Sequence, residues 1–200
     1  MCLSDLTVNR LSRDMSMKTE IEKMRSQEQY DCSEPDIYGS MERCKPLCAR
    51  LLTMTTSDEG YRELIEQIVP GFPKSSTICP PFVCDHGSGI IIAEDVFINY
   101  NCSMLDEAYI RIGRHTLIGP DCKFYTPQHP MNYIDRRRTI ETAYPITIGE
   151  DCWLGGNVTV CPGVTIGDRC IIAAGSVVVH DIPSDSMAAG CPATVKKSLK

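Results

Sequence analysis

Residues 148–183 read IGEDCW LGGNVT VCPGVT IGDRCI IAAGSV VVHDIP, six at a time, with a branched aliphatic side chain at Ile148, Leu154, Val160, Ile166, Ile172 and Val178. A helix at 3.6 residues per turn puts positions i and i+6 about 120° out of line. A lone strand alternates at every second residue. A period of six fits a short strand followed by a corner, and three such sides close a triangular coil whose aliphatic ladder stacks on the next. Glycine follows the aliphatic at Gly113, Gly119, Gly149, Gly155 and Gly167, where corner backbones have to approach one another. The pattern predicts a mainly β chain, a parallel β-helix of hexapeptide repeats.

Towards the N-terminus the ladder continues through Ile92, Ile98, Met104 and Ile110; after a two-residue offset it resumes at Ile112, Ile118 and Phe124. Cys102, Cys122, Cys152 and Cys170 each fall four residues after a ladder aliphatic, a recurring small position where a thiol packs as a small hydrophobe. Residues 125–145, YTPQHPMNYIDRRRTIETAYP, keep no period. They predict a loop of about residues 126–145 extruded from the coil stack, and long loops on regular scaffolds carry function. Arg136, Arg137 and Arg138 read most simply as its solvated face, with a phosphate or acidic acceptor as the minor reading.

Ahead of the coils the pattern is helical. Ser33-Glu34-Pro35 looks like a capped start, and Ile37, Met41, Cys44, Cys48 and Leu51 trace one stripe that Pro46 should kink or split. Ser57 is the expected cap of a second helix, with Tyr61, Leu64, Ile65 and Ile68 facing inward and an end at Val69-Pro70-Gly71. Such helices cover the open first coil, as a solenoid requires. The expected organisation is a tail over residues 1–17, a helical cap over 18–75 and the β-helix over 76–200.

Composition narrows the function. A net charge of −6 argues against a nucleic-acid binder, and no run of 18 apolar residues suggests a membrane span. The opening MCLSDLTVNRLSRDMSMK lacks the apolar centre of a secretory signal, so Met15 or Met17 is a candidate initiator and the cytoplasm the expected location. Among 12 cysteines, Cys44 and Cys48 share a helical face, but no second pair has zinc spacing, so no metal is expected.

Several segments together resemble the maltose and galactoside O-acetyltransferases: QYDCSEPDIY, PPFVCDHGSGIIIA, NYNCSMLDEA, FYTPQHP, the long repeat above and AAGCPA. The resemblance covers roughly residues 18 to 197. It implies a left-handed coil, acetyl-coenzyme A as co-substrate, a sugar hydroxyl as acceptor, and a homotrimer with sites between subunits.

A hydroxyl is a poor nucleophile at neutral pH, so a base has to take its proton, and histidine titrates in the right range. Of His86, His115, His129 and His180, only His129 sits in the extruded loop and matches the family's His-Pro; His115 reads as an outward turn residue. By resemblance Glu141 orients that histidine, with a backbone carbonyl as rival. Asn99 meets the acceptor hydroxyl unless it is a polar turn residue. Asp31, Asp85 and one of the neighbours Asp106 and Glu107 line the acceptor pocket. His86 follows Asp85 where relatives often have tyrosine, which bears on acceptor preference. The cofactor groove takes Trp153, Gly156, Ala174 and Val179. His180 replaces a usual lysine and Thr194 a usual arginine, leaving Lys196 and Lys197 for the phosphates, so phosphate recognition is expected to be weak. A γ-carbonic-anhydrase-like hydratase would need three zinc-binding histidines, and the serine enzymes a large helical domain. The alternatives left are a non-sugar (xenobiotic) hydroxyl acceptor and a silent scaffold.

Overall fold

The aliphatic ladder builds three flat parallel faces. In the computed structural model, which describes residues 18–200, Ile78, Ile98, Ile118, Leu154 and Ile172 stack in register along the first face. Cys84, Met104, Phe124, Val160 and Val178 stack along the second. Ile92, Ile112, Ile148 and Ile166 form the third. These side chains fill the interior of the prism, and Cys102, Cys122, Cys152 and Cys170 are buried among them, as their spacing predicts. The expected tail and the candidate initiators Met15 and Met17 lie outside the described residues.

Corners repeat as strictly as sides. Asp95, His115, Asp151, Arg169 and Asp185 all take a left-handed backbone conformation at one corner, and Asn101, Asp121, Asn157 and Gly175 do so at another. Short polar residues tolerate this conformation best. His115 is therefore a corner residue, exposed beside Asp95, as expected. A Cβ added at Gly149 would lie 2.6 Å from the backbone nitrogen of Asp168, so the glycine after the aliphatic is a requirement of coil stacking.

The register break is not where the period alone suggests. Ile110 pairs with Ile90 and Ile146, while Ile112 pairs with Ile92 and Ile148, so both point inward from one strand. The extra residues instead enter before Ile110, at the corner between second and third faces. Each of the first three coils is enlarged there: at residues 85–89, at 106–109, and by the arm of residues 126–145.

That arm is a folded hairpin rather than a plain loop. Its strands Pro127–Gln128 and Ile140–Ala143 pair antiparallel, and the second also pairs with Tyr30–Asp31 of the N-terminal segment. Arg136, Arg137 and Arg138 are exposed on its tip, with Arg137 over the Tyr133 ring.

Helices α1 (Glu20–Arg25), α2 (Pro35–Leu51) and α3 (Tyr61–Ile68) precede the coils. The first, not foreseen, is set by a reciprocal capping box between Thr19 and Glu22. Helix α2 begins with Pro35 in its first turn, but its cap is Glu34; the Ser33 hydroxyl instead donates to Asp31. It runs through Pro46 without splitting. Helix α3 starts from Gly60, not Ser57, because the left-handed backbone of that glycine (φ +82°) turns the chain into the helix. Tyr61, Leu64, Ile65 and Ile68 are buried against the first coils. Among the described residues, no helix is long and apolar enough to cross a membrane.

Candidate active site

The enlarged corner and the helical cap enclose a chamber of about 230 Å³, lined by Tyr30, Cys32, Ile37, Tyr38, Met41, His86, Glu107 and Glu141. Arg25 fastens the cap: its guanidinium donates to the carbonyls of Asp106 and Glu107 and, at 3.2 Å, to Ser88 Oγ, and it lies over the Tyr109 ring. Helix α2 supplies the apolar wall, and three corner residues supply the polar one.

The corner carboxylates divide their work. Asp106 is fully buried and accepts N–H bonds from His86 (2.8 Å), Gly87 (3.1 Å) and Gly89 (2.9 Å). It shapes the 85–89 turn and has no part in the chamber lining, so of the two neighbours Glu107 faces the chamber. Burial, then the neighbouring Asp85, pushes the Glu107 carboxyl up to about 9. Burial also raises Asp85, while a hydrogen bond with Glu107 opposes that rise. At neutral pH Glu107 is thus protonated. His86 is fully buried with neither ring nitrogen partnered among the described residues, and burial lowers it to about 4, so it lines the chamber as a neutral imidazole.

Asp31 departs from expectation. Consecutive strand residues face opposite ways, so Tyr30 enters the chamber while Asp31 turns out. There it binds Ser33 (2.7 Å to the hydroxyl, 3.0 Å to the backbone N–H); hydrogen bonds from Thr139 and Ser33 hold its carboxyl down at about 2. Its partners are Ser33 and Thr139 of the arm, and it does not line the chamber.

On the arm, Glu141 bridges two rings. Its Oε2 accepts the Tyr30 hydroxyl at 2.8 Å and its Oε1 lies 3.4 Å from Nδ1 of His129. The Glu141 side chain is 15% exposed and that of His129 64% exposed. The carboxylate is therefore fixed at the chamber edge, while the imidazole reaches solvent over a shallow hollow lined by Gln29, Gln128, Met131, Thr142 and Tyr144. The sequence reading passed over Tyr30 and Arg25, while His86 was singled out only for its bearing on acceptor preference. Only the contact across the arm distinguishes Tyr30 from a core tyrosine, and no local signal in the sequence carries it.

A second cavity of about 510 Å³ runs along the outside of the first face, with Asn99, Pro120, Gly156, Ala174 and Met187 among its lining residues and Trp153, 55% exposed, beside them. Trp153, Gly156 and Ala174 thus fall together as expected. Asn99 lies in this groove and not in the chamber, so one chain does not unite it with His129. Val179, His180, Thr194 and Lys197 are exposed outside the groove lining, although Lys197 pairs across the sheet with Met187. A Cβ at Gly156 would make only ordinary contact, 3.4 Å from the Pro120 carbonyl. Its smallness therefore serves the groove and not the coil.

A β-helix with one histidine-bearing arm and a narrow outer groove is the architecture of an acyl-transferring hexapeptide protein. The family described as "Bacterial transferase hexapeptide (six repeats)" matches residues 145–180. A Saccharomyces cerevisiae protein named provisionally as an acetyltransferase is 36% identical over 86% of this chain and 89% of its own. The maltose O-acetyltransferase of Clostridium difficile 630 superposes with a TM-score of 0.88 at 34% identity, over 92% of this chain and 98% of the other. A Vibrio cholerae hexapeptide-repeat acetyltransferase complexed with acetyl-coenzyme A gives 0.85 at 38% identity, over 92% and 100%. A galactoside acetyltransferase in complex with coenzyme A gives 0.87 at 29%, over 92% of each chain. The chain belongs to the hexapeptide-repeat acetyltransferase family.

Proposed function

We propose that this protein is an acetyl-coenzyme A-dependent O-acetyltransferase acting on a sugar hydroxyl, with His129 as general base. The observation that carries the reading is the Tyr30–Glu141–His129 relay at the rim of a carboxyl-lined chamber. Glu141 on Nδ1 holds that nitrogen as the protonated one and leaves Nε2 as the base. Acetyl-coenzyme A supplies the thioester; the hydroxyl oxygen bonds to its acyl carbon, the hydroxyl proton passes to Nε2, and the thiol departs after taking a proton back. The groove fits an extended pantetheine arm, because Gly156 and Ala174 leave its floor open beside Trp153. Glu107, hydrogen-bonded to Asp85, and Glu141 offer hydrogen-bond acceptors to a polyol, against the apolar wall of Ile37 and Met41.

The site is shared between subunits of a homotrimer in this reading. Phe97, Leu117 and Trp153 stand in one outward row on the first face, all exposed. A neighbouring copy that covers this row brings its own arm towards the groove and Asn99, and joins the two halves that a single chain holds apart.

The test is product formation across a panel of sugars and other hydroxyl compounds, counted by chromatography because the chain's own thiols react with thiol dyes. His129→Ala is expected to lower kcat about 10²- to 10⁴-fold without loss of the fold. Transfer to non-sugar hydroxyls alone would overturn the acceptor assignment, and an unchanged kcat would overturn the base.

A further inference from the structure

Among the described residues, the seven buried cysteines form two populations. Cys102, Cys122, Cys152 and Cys170 each direct the thiol to a backbone carbonyl, of Gly119 (3.4 Å), Gly155 (3.2 Å), Gly167 (3.0 Å) and Pro183 (3.2 Å). Cys44, Cys48 and Cys84 instead gather sulfur on sulfur. Cys44 and Cys48 stand one turn apart on the buried side of α2, and Cys84 ends the first strand of the second face. Their Sγ atoms are 3.8 Å (44–48), 3.4 Å (44–84) and 3.9 Å (48–84) apart, and all three residues are buried.

We propose that Cys44, Cys48 and Cys84 form a binding site for a soft closed-shell cation, and that the ion matching this ligand set is monovalent copper. A metal about 2.3 Å from each of three sulfurs holds them about 3.8 to 4.0 Å apart, close to the spacing already present. Sulfur-only ligation selects soft ions. A structural zinc site takes four ligands; among the described residues, no fourth histidine, cysteine or carboxylate joins this group within 4.8 Å. Binding involves no oxidation: thiol protons pass to solvent as metal–sulfur bonds form. The site also has a position to matter. Within the two turns before Cys44, α2 presents Ile37, Tyr38 and Met41 to the chamber, and Cys84 is followed at once by Asp85 and His86. An ion here ties the apolar wall to the enlarged corner. The inference goes beyond the acetyl-transfer reading and stands without it.

Reduced full-length protein, titrated anaerobically with the acetonitrile complex of monovalent copper against a competing chelator, is expected to retain one copper per chain. X-ray absorption is expected to show a shell of three sulfurs and no lighter ligand. Cys44→Val and Cys48→Ser, checked for folding by circular dichroism, are expected to weaken retention at least a hundredfold, while Cys191→Ser, at the exposed thiol, leaves it unchanged. Equal retention by the trio variants would overturn the site. So would nitrogen or oxygen in the wild-type shell, zinc held in preference, or a Cys44–Cys84 disulfide in place of metal. If neither variant folds, the wild-type shell decides alone.

Discussion

The first face and the corner between the second and third faces come from one repeat, yet they obey it to opposite degrees. On the first face the ladder Ile98, Ile118, Leu154, Ile172 stays in register, although the 106–109 enlargement lies between Ile98 and Ile118 and the arm between Ile118 and Leu154. At the corner, each of the first three coils breaks the period. Regular coils satisfy their backbone by stacking, so they leave room for little besides a ladder within and small residues without. A break frees backbone and side chains from that bookkeeping, and the buried His86, Asp106 and Glu107, with the half-buried Asp85, sit in breaks.

The contrast breaks most sharply on a ladder residue. Leu154 is fully buried between two coils, and Leu154→Ala is expected to cost about 2–5 kcal/mol of unfolding free energy, by lost transfer energy plus the cavity left behind. Chemical denaturation measures it. A loss below about 1 kcal/mol would show that the ladder collapses around the gap, so that the coil is less tightly determined than its period implies.

A smaller effect is expected in the groove, where the fold tolerates a side chain that the ligand would not. Gly156→Val places methyl groups in the groove while its Cβ makes only ordinary contact. The KM for acetyl-coenzyme A is expected to rise about tenfold or more with little change in thermal stability. An unchanged KM would move the cofactor off the first face; a collapse in stability would return Gly156 to the class of Gly149.

How much of this was legible follows the same division. Period six announced the faces, the inward cysteines and the extruded arm, because every coil repeats one environment and the sequence shows it several times. Boundaries of single events were not so readable. The break before Ile110 was misplaced because Ile110 and Ile112 both point inward and either continues the period. Ser33 and Ser57 looked like caps, but one hydroxyl was drawn to Asp31 and the other position lost to the left-handed Gly60. At the site, residue types were readable and orientations were not. Nothing local tells that Asp106 binds three backbone N–H groups while Glu107 faces the chamber, or that Tyr30 turns in and Asp31 out. Those outcomes depend on contacts between segments far apart in the chain, such as Tyr30 with Glu141.

The corner should also reveal itself in how stability depends on pH. The Glu107 carboxyl, ordinarily near 4.5, is raised to about 9 in the folded chain. Between these values the unfolded chain has released a proton that the folded chain keeps, so stability falls as pH rises through that window and levels off above it. Glu107→Gln keeps an N–H donor for Asp85 and has no proton to lose. Thermal melts at pH 5, 7 and 9 are expected to show the wild type declining and the variant nearly flat, with the variant the more stable at pH 8. Equal slopes would mean that Glu107 ionises inside the fold at neutral pH. The steeper wild-type slope would instead mark the corner as a place where the chain keeps a destabilising carboxyl that its regular coils have no use for, the trade expected where a residue serves binding at the expense of stability.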